Sequence, residues 1–307
     1  MSIELIVLPE VSGISWENFC DYYPAFSASL DGFVNVGPRF DEKKVMVNFN
    51  HHEEVDRLAT RATCAQVLMA IRQGMFHKFR DSFGPIVNVY VNDCDEDVCT
   101  SWFLLHNYHM VVGSMNPVIN KLVSMEDALD STAGAYPFPA DLPALKELAW
   151  VFEPYRHFRL NGGLEKRSSA TFKSIILDVE HRIMQHVTGH GSSISLDTRY
   201  DIIGGGSGWV MVKEIGAHAR TGMFGDGIKA YVSVRERKDN RWTYTLGKLS
   251  PFIPFDLIKL TEVFNKEDFA VTTLDKWGGG NNIMGSPRVG GSLLDPEMLS
   301  QLIKESL

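Results

Sequence analysis

Two rhythms of apolar residues run along the chain. Residues 3–8 (Ile-Glu-Leu-Ile-Val-Leu) form a short apolar run stopped by Pro9, and 32–36, 45–49 and 86–91 are similar runs bounded by Gly, Pro, Asn or Asp. Runs of this length and setting predict strands. Between them, Val55, Leu58, Ala62, Ala65, Leu68 and Met69 recur at helical spacing and predict a helix over 55–72. A further helix is expected from 97 to 106. Strands alternating with helices of this length predict βα units on a mostly parallel sheet.

The pattern changes at Asn161-Gly162-Gly163. Beyond it Phe172, Ile175, Ile176, Val179, Ile183 and Met184 make a stripe on a helix over 170–187, which Gly189-His190-Gly191 ends. Strand-like runs then return at 209–212, 230–235 and 242–247 among many glycines. The expected fold is therefore α/β in three parts: an N-terminal domain with a mostly parallel sheet over 1–165, a connecting helix over 166–190, and a smaller α/β domain over 191–307. No internal repeat and no low-complexity tract interrupts this order.

Composition narrows the partners. A net charge of -8 disfavours a long nucleic-acid duplex, whose non-specific binding rests on Lys and Arg neutralising phosphates. A small anion, or a short single strand met by a local basic patch, stays open. The four cysteines (Cys20, Cys64, Cys94, Cys99) have no CxxC spacing, so free thiols are expected rather than a thiolate zinc site. No basic leader follows Met1 and no apolar run is long enough to span a bilayer, so a cytoplasmic protein without a membrane partner is expected.

Chemistry concentrates in four segments. The strand over 86–91 runs straight into Asn92-Asp93-Cys94-Asp95-Glu96-Asp97, which sets three aspartates at alternate positions where open α/β sheets bind ligands. Crowded carboxylates repel one another unless a cation neutralises them, and hard divalent metals take such oxygen ligands. A solvated acidic turn capping the next helix is the plainer alternative. Asn50-His51-His52 follows another strand; neighbouring histidines there point apart, so one can bind metal while the other faces substrate, or both can be ordinary loop residues. Asp127-Ala128-Leu129-Asp130 adds two more carboxylates, or a helical turn. Finally, Gly278, Gly279 and Gly280, with Ser286 and Arg288, read as an anion cradle or as a flexible loop.

Taken together these segments resemble the DHH phosphoesterase superfamily, which includes RecJ-like exonucleases, oligoribonucleases and cyclic-dinucleotide phosphodiesterases. The run Asp93–Asp97 with Thr100-Ser101 and Leu104-Leu105 is similar to the family's first aspartate motif, and Asn50-His51-His52 to its signature. Residues 32–37 resemble the strand end of its second motif, Asp127–Asp130 its fourth in the Myg-type exonucleases, and 278–292 the glycine-rich loop of the DHH-associated domain. The motif order is altered. Asn50 replaces an Asp, and Asn35 stands where a metal-bridging Asp is expected, with Asp31 and Asp41 as nearby substitutes.

The resemblance implies one or two Mn²⁺ (or Mg²⁺) ions held by His51, Asp93, Asp95, Asp97 and Asp127 or Asp130, with His52, Asp95 and Asp97 catalytic. Asn35 and Asn50 would orient the ligands from behind. Gly278, Gly279, Gly280, Ser286 and Arg288 would clamp the substrate from the second domain. The implied activity is hydrolysis of a phosphodiester or phosphoanhydride in a small nucleotide or short single-stranded oligonucleotide, by a protein for which a homodimer is compatible. The two Asn replacements motivate an alternative, a relative that binds a phosphorylated ligand without cleaving it.

Overall fold

The computed structural model describes residues 2–11, 13–113, 116–132, 134 and 136–307. It is a mixed α/β structure with two six-stranded sheets, one in each of two compact units. The first unit comprises Met1–Ser131 and Pro143–Ile194; the second comprises Thr132–Leu142 and Ser195–Leu307. Among the described residues, no helix is long and apolar enough to cross a membrane.

In the first unit β1 (Ser2–Val7), α1 (Trp16–Tyr22), β2 (Ser27–Leu30), β3 (Arg39–Asp41) and β4 (Met46–Phe49) come first. Then follow α2 (Thr63–Arg72), α3 (Met75–Lys78), β5 (Arg80–Asp81), β6 (Gly84–Val91) and α4 (Glu96–His106). Helices α5 (Pro117–Ser131), α6 (Pro143–Val151), α7 (Glu153–Leu160) and α8 (Ser169–Val187) complete it. The sheet order is β1-β6-β2-β4-β3, with β5 on β6. Three pairings are parallel (β1 with β6, β6 with β2, β2 with β4), and β3 and β5 pair antiparallel. The α/β alternation expected is present, in a mixed sheet whose central pairings are parallel.

Register decides what meets at the end of this sheet. Ser29 of β2 lies opposite Tyr90 of β6, and Leu30 lies opposite Phe49 of β4. The residues that follow these strands, Asp31, Asn50-His51-His52 and Asn92-Asp93, therefore emerge side by side at the carboxyl ends of three neighbouring parallel strands. That is where open α/β sheets carry their ligands. Ala28, Leu30, Val87, Val89 and Val91 are buried in the sheet, and Phe19, Phe33, Val34, Met46 and Tyr90 fill a cluster under α1.

Two expectations shift. The strand read at 32–36 lies earlier, at Ser27–Leu30: Asp31 and Gly32 both take positive φ (49° and 82°), which turns the chain out of the sheet. The helix read over 55–72 begins only at Thr63. The chain division also moves from 165 to 194, because the stripe Phe172, Ile176, Val179 and Ile183 is buried and α8 packs on α4, α6 and α7 within the first unit. Ser168 caps that helix by accepting from Thr171 N at 3.3 Å.

The second unit carries β7 (Tyr200–Gly206), β8 (Trp209–Glu214), α9 (Ala219–Gly225), β9 (Ala230–Glu236) and β10 (Trp242–Lys248). It continues with α10 (Leu257–Glu267), β11 (Gly278–Gly279), β12 (Ile283–Gly285) and α11 (Pro296–Ser306). Its sheet runs β11-β12-β10-β9-β8-β7, parallel only between β8 and β9. Trp209, Val232, Tyr244, Leu260, Phe264 and Trp277 lie in its core.

Candidate metal centre

Four chain segments deliver side chains to one point. Asp31 leaves β2, His51 and His52 leave β4, Asp97 stands in the first turn of α4, and Asp130 lies in the last turn of α5. The His51 Nε2 atom is 2.6 Å from Asp130 Oδ2, 3.4 Å from Asp31 Oδ1 and 3.8 Å from Asp97 Oδ2. Two overlapping groups have ligand atoms close enough to share an ion: His51 with Asp97 and Asp130, and His51 with His52 and Asp31. One imidazole nitrogen and several carboxylate oxygens suit Mn²⁺ or Zn²⁺ better than an all-oxygen ion such as Mg²⁺.

One contact argues for a shared ion. Asp130 Oδ2 is buried and makes no hydrogen bond despite lying 2.6 Å from His51 Nε2. Proximity without hydrogen-bond alignment suits two ligands aimed at a common centre; without an ion the same contact is an ion pair with the charged His51. The residues present thus fit a divalent cation.

The loop that carries the histidines is locked from below. Asn50 donates from Nδ2 to Val36 O (2.9 Å) and Glu53 Oε2 (2.7 Å), and its Oδ1 accepts from His52 N at 3.0 Å. Asn50 therefore shapes the His51-His52 turn. His52 is engaged at both nitrogens, with Asp31 Oδ1 2.9 Å from Nε2 and Arg57 Nη2 2.8 Å from Nδ1. A guanidinium only donates, so Nδ1 accepts and Nε2–H donates to Asp31. With 36% of its side chain exposed, His52 acts on the centre through Asp31 while one edge faces solvent.

Asp97 has a double task. Its Oδ2 and Oδ1 accept from Thr63 N (2.7 Å) and Cys64 N (2.6 Å), so it caps α2 from another helix. Asp31 accepts from Thr63 Oγ1 at 3.1 Å. It is also held in the left-handed backbone region, a conformation that costs free energy and collects at functional sites.

The charges are unevenly settled. Burial opposes the charged form of His51, but Asp130 and Asp31 outweigh it and raise the ring to about 11. Burial likewise opposes ionised Asp31, yet His52 and His51 hold its carboxyl well below the ordinary range. Asp130 is lowered too, chiefly by His51 against burial. Farther from the imidazoles the direction reverses. Burial, then Asp130 and Asp31, push Asp97 up to about 7, and burial, then Asp31 and Asp93, push Asp95 well above the carboxylate range. More negative charge is gathered here than its neighbours neutralise.

No family model matches the chain, and no curated protein matches it.

The remaining candidates do not join the groups around His51. Asp95 caps α4 by accepting from Val98 N (2.9 Å), Asp93 Oδ1 accepts from Cys94 N (2.7 Å), and neither joins the two converging groups. Asp127 accepts from Ala62 N at 2.7 Å, so Asp130 is the member of that pair at the centre. Asn35 is exposed, with its side chain against Gly13, and Asp31 rather than Asn35 lies beside His51. In the second unit the glycine-rich cradle is instead a β-hairpin. Gly278 and Gly279 pair with Gly285 and Met284, Gly280 N donates to Ile283 O, and the Val289 and Gly290 amides go to Asp275. Ser286 is buried and accepts from Tyr244 N at 3.0 Å, while Arg288 is exposed. The sequence reading missed the depth of Arg57, which is buried against both histidines; its one signal was its place just after the His-His turn.

Proposed function

We propose that the chain is a metal-dependent phosphoesterase whose centre is His51, Asp31, Asp97 and Asp130 holding Mn²⁺. The observation that carries this reading is the gathering of three carboxylates around one buried imidazole nitrogen at the carboxyl ends of adjacent parallel strands. When bound, the ion supplies Lewis acidity that makes water nucleophilic near neutral pH and offsets charge growing on a phosphoryl group. The protein's own groups set the geometry: Asn50 holds the histidine turn, His52 orients Asp31, and the start of α2 fixes Asp97. Asp93 and Asp95, each with local backbone partners, border the centre and stand as candidates for a second ion.

The resemblance to the DHH phosphoesterases supports the same reading, with Asp31 serving where Asn35 had been expected. The substrate class proposed is a phosphodiester or phosphoanhydride in a small nucleotide or short oligonucleotide. The protein with Mn²⁺ should hydrolyse at least one member of a panel of nucleotides, cyclic dinucleotides, short single strands and pyrophosphate. The Asp130→Asn variant should lose that activity, and no turnover of any panel member by the wild type defeats the proposal.

A second reading has its own support. His51, charged without a metal, and the buried Arg57 partly offset the carboxylates, which suits a protein that binds a phosphorylated ligand without hydrolysing it. Metal analysis separates the two: near-stoichiometric Mn²⁺ favours hydrolysis, and ligand binding by metal-free protein favours this one.

A further inference from the structure

Arg57 is a buried charge that the metal reading leaves unused, 7% exposed in the turn between β4 and α2. Its Nε donates to His51 O at 3.1 Å, and its Nη2 lies 2.8 Å from His52 Nδ1 and 3.3 Å from His51 Nε2. Among the described residues its guanidinium forms no ion pair, and Nη1 makes no hydrogen bond although it is not shut off from solvent. Its charge is only partly offset, through space, by Asp130, and the Nη1 side is still open to an incoming anion. Arg also presents its N–H groups as a planar fork that matches phosphate oxygens.

The 3.3 Å contact to His51 Nε2 adds a second constraint. An ion ligated by that nitrogen would stand directly beside the guanidinium. Two cations that close also repel. Metal and guanidinium therefore oppose each other by charge at this contact. The Nε bond to the His51 carbonyl is independent of that competition and serves as a pivot.

We infer that Arg57 is the phosphate-binding residue of this centre and an internal competitor of its metal. With Nε kept on the His51 carbonyl, the Nη edge releases His51 Nε2 when an ion is held and takes non-bridging oxygens of the substrate's phosphoryl group. This rests on the proposed metal-dependent phosphoesterase and adds the group that selects a phosphoryl substrate over a neutral ester or amide.

The two roles have opposite consequences for one substitution. Mn²⁺ is titrated calorimetrically into wild type, Arg57→Gln and Arg57→Lys, and inorganic phosphate is then titrated into each Mn²⁺-loaded protein. Arg57→Gln should bind Mn²⁺ several-fold tighter and phosphate roughly tenfold or more weaker, since a charge-assisted pair is lost. Arg57→Lys, which keeps the charge but not the fork, should fall between and guard against a folding defect in the first variant. Weakening of both affinities in parallel in both variants means that Arg57 is only structural and overturns the inference. Unchanged phosphate affinity overturns it as well. A wild type that takes up no Mn²⁺ defeats the metal reading beneath it, whereas Mn²⁺ uptake with phosphate binding indifferent to Arg57 defeats this inference alone.

Discussion

In the second unit Asp268 is almost wholly buried, yet donors meet both of its oxygens. Ala270 N (3.0 Å) and Leu293 N (3.2 Å) reach Oδ1, and the Trp277 indole reaches Oδ2 at 2.8 Å. In the first unit Asp31, Asp97 and Asp130 crowd one imidazole, and Asp130 Oδ2 is left without a hydrogen bond. Both places bury negative charge and only one completes its partners. A solitary carboxylate ringed by N–H groups ties loops together and needs nothing more. Several carboxylates sharing too few donors need neutralising, by a charged His51, by a proton as at Asp97, or by a metal ion, so the deficit marks a candidate site where mere burial does not.

The comparison breaks most sharply at the unsatisfied side. Asp130→Asn keeps the shape and removes one ligand charge, and should lower Mn²⁺-dependent turnover by about a thousandfold, the size of effect that several kcal/mol of lost transition-state stabilisation produces. Circular dichroism should be unaltered. Asp268→Ala tests the satisfied side: it leaves the Trp277 indole unpaired and should cost about 3 kcal/mol in chemical denaturation. Its Mn²⁺ affinity should match wild type. Adding Mn²⁺ at a hundred times its dissociation constant should stabilise wild type by about 2.7 kcal/mol, visible as a raised melting temperature. Asp130→Asn should lose most of that gain and Asp268→Ala none. The smallest effect belongs to Arg61→Ala, which removes an exposed ion pair to Asp127 and should change stability by less than about 0.5 kcal/mol. A larger loss there means that the capping of α2 depends on that pair.

Much of the first unit was legible because local pattern and tertiary role agree. The apolar runs at β1, β4 and β6 and the stripe on α8 read correctly, and His51, Asp97 and Asp130 stood out by type and by place after a strand or within a motif. The failures have long-range causes. Ser27 and Ser29 make β2 look polar, but their hydroxyls donate to Pro24 O (2.7 Å) and Asn48 Oδ1 (2.8 Å), so they can be buried. Missing that strand shifted attention from Asp31 to Asn35. The helix over 55–72 was drawn too long because its apolar spacing continues through 55–62. The signals that start it at Thr63 come from Asp97 and Asp127, 34 and 65 residues away from the amides they receive. In the second unit glycine density was taken for anion binding, although Gly279 follows from a tight hairpin: at φ +146°, a side chain there would run into the Ile283 carbonyl.

The bond pattern of Asp97 gives the protein a built-in gauge. The carboxylate that faces the centre through Oδ2 also receives the Thr63 and Cys64 amide protons at the tip of α2. A diamagnetic ion such as Zn²⁺ drawing electron density from that carboxylate weakens it as an acceptor, so those two amides report occupancy by chemical shift and exchange rate, whereas Mn²⁺ reports itself by broadening their signals away.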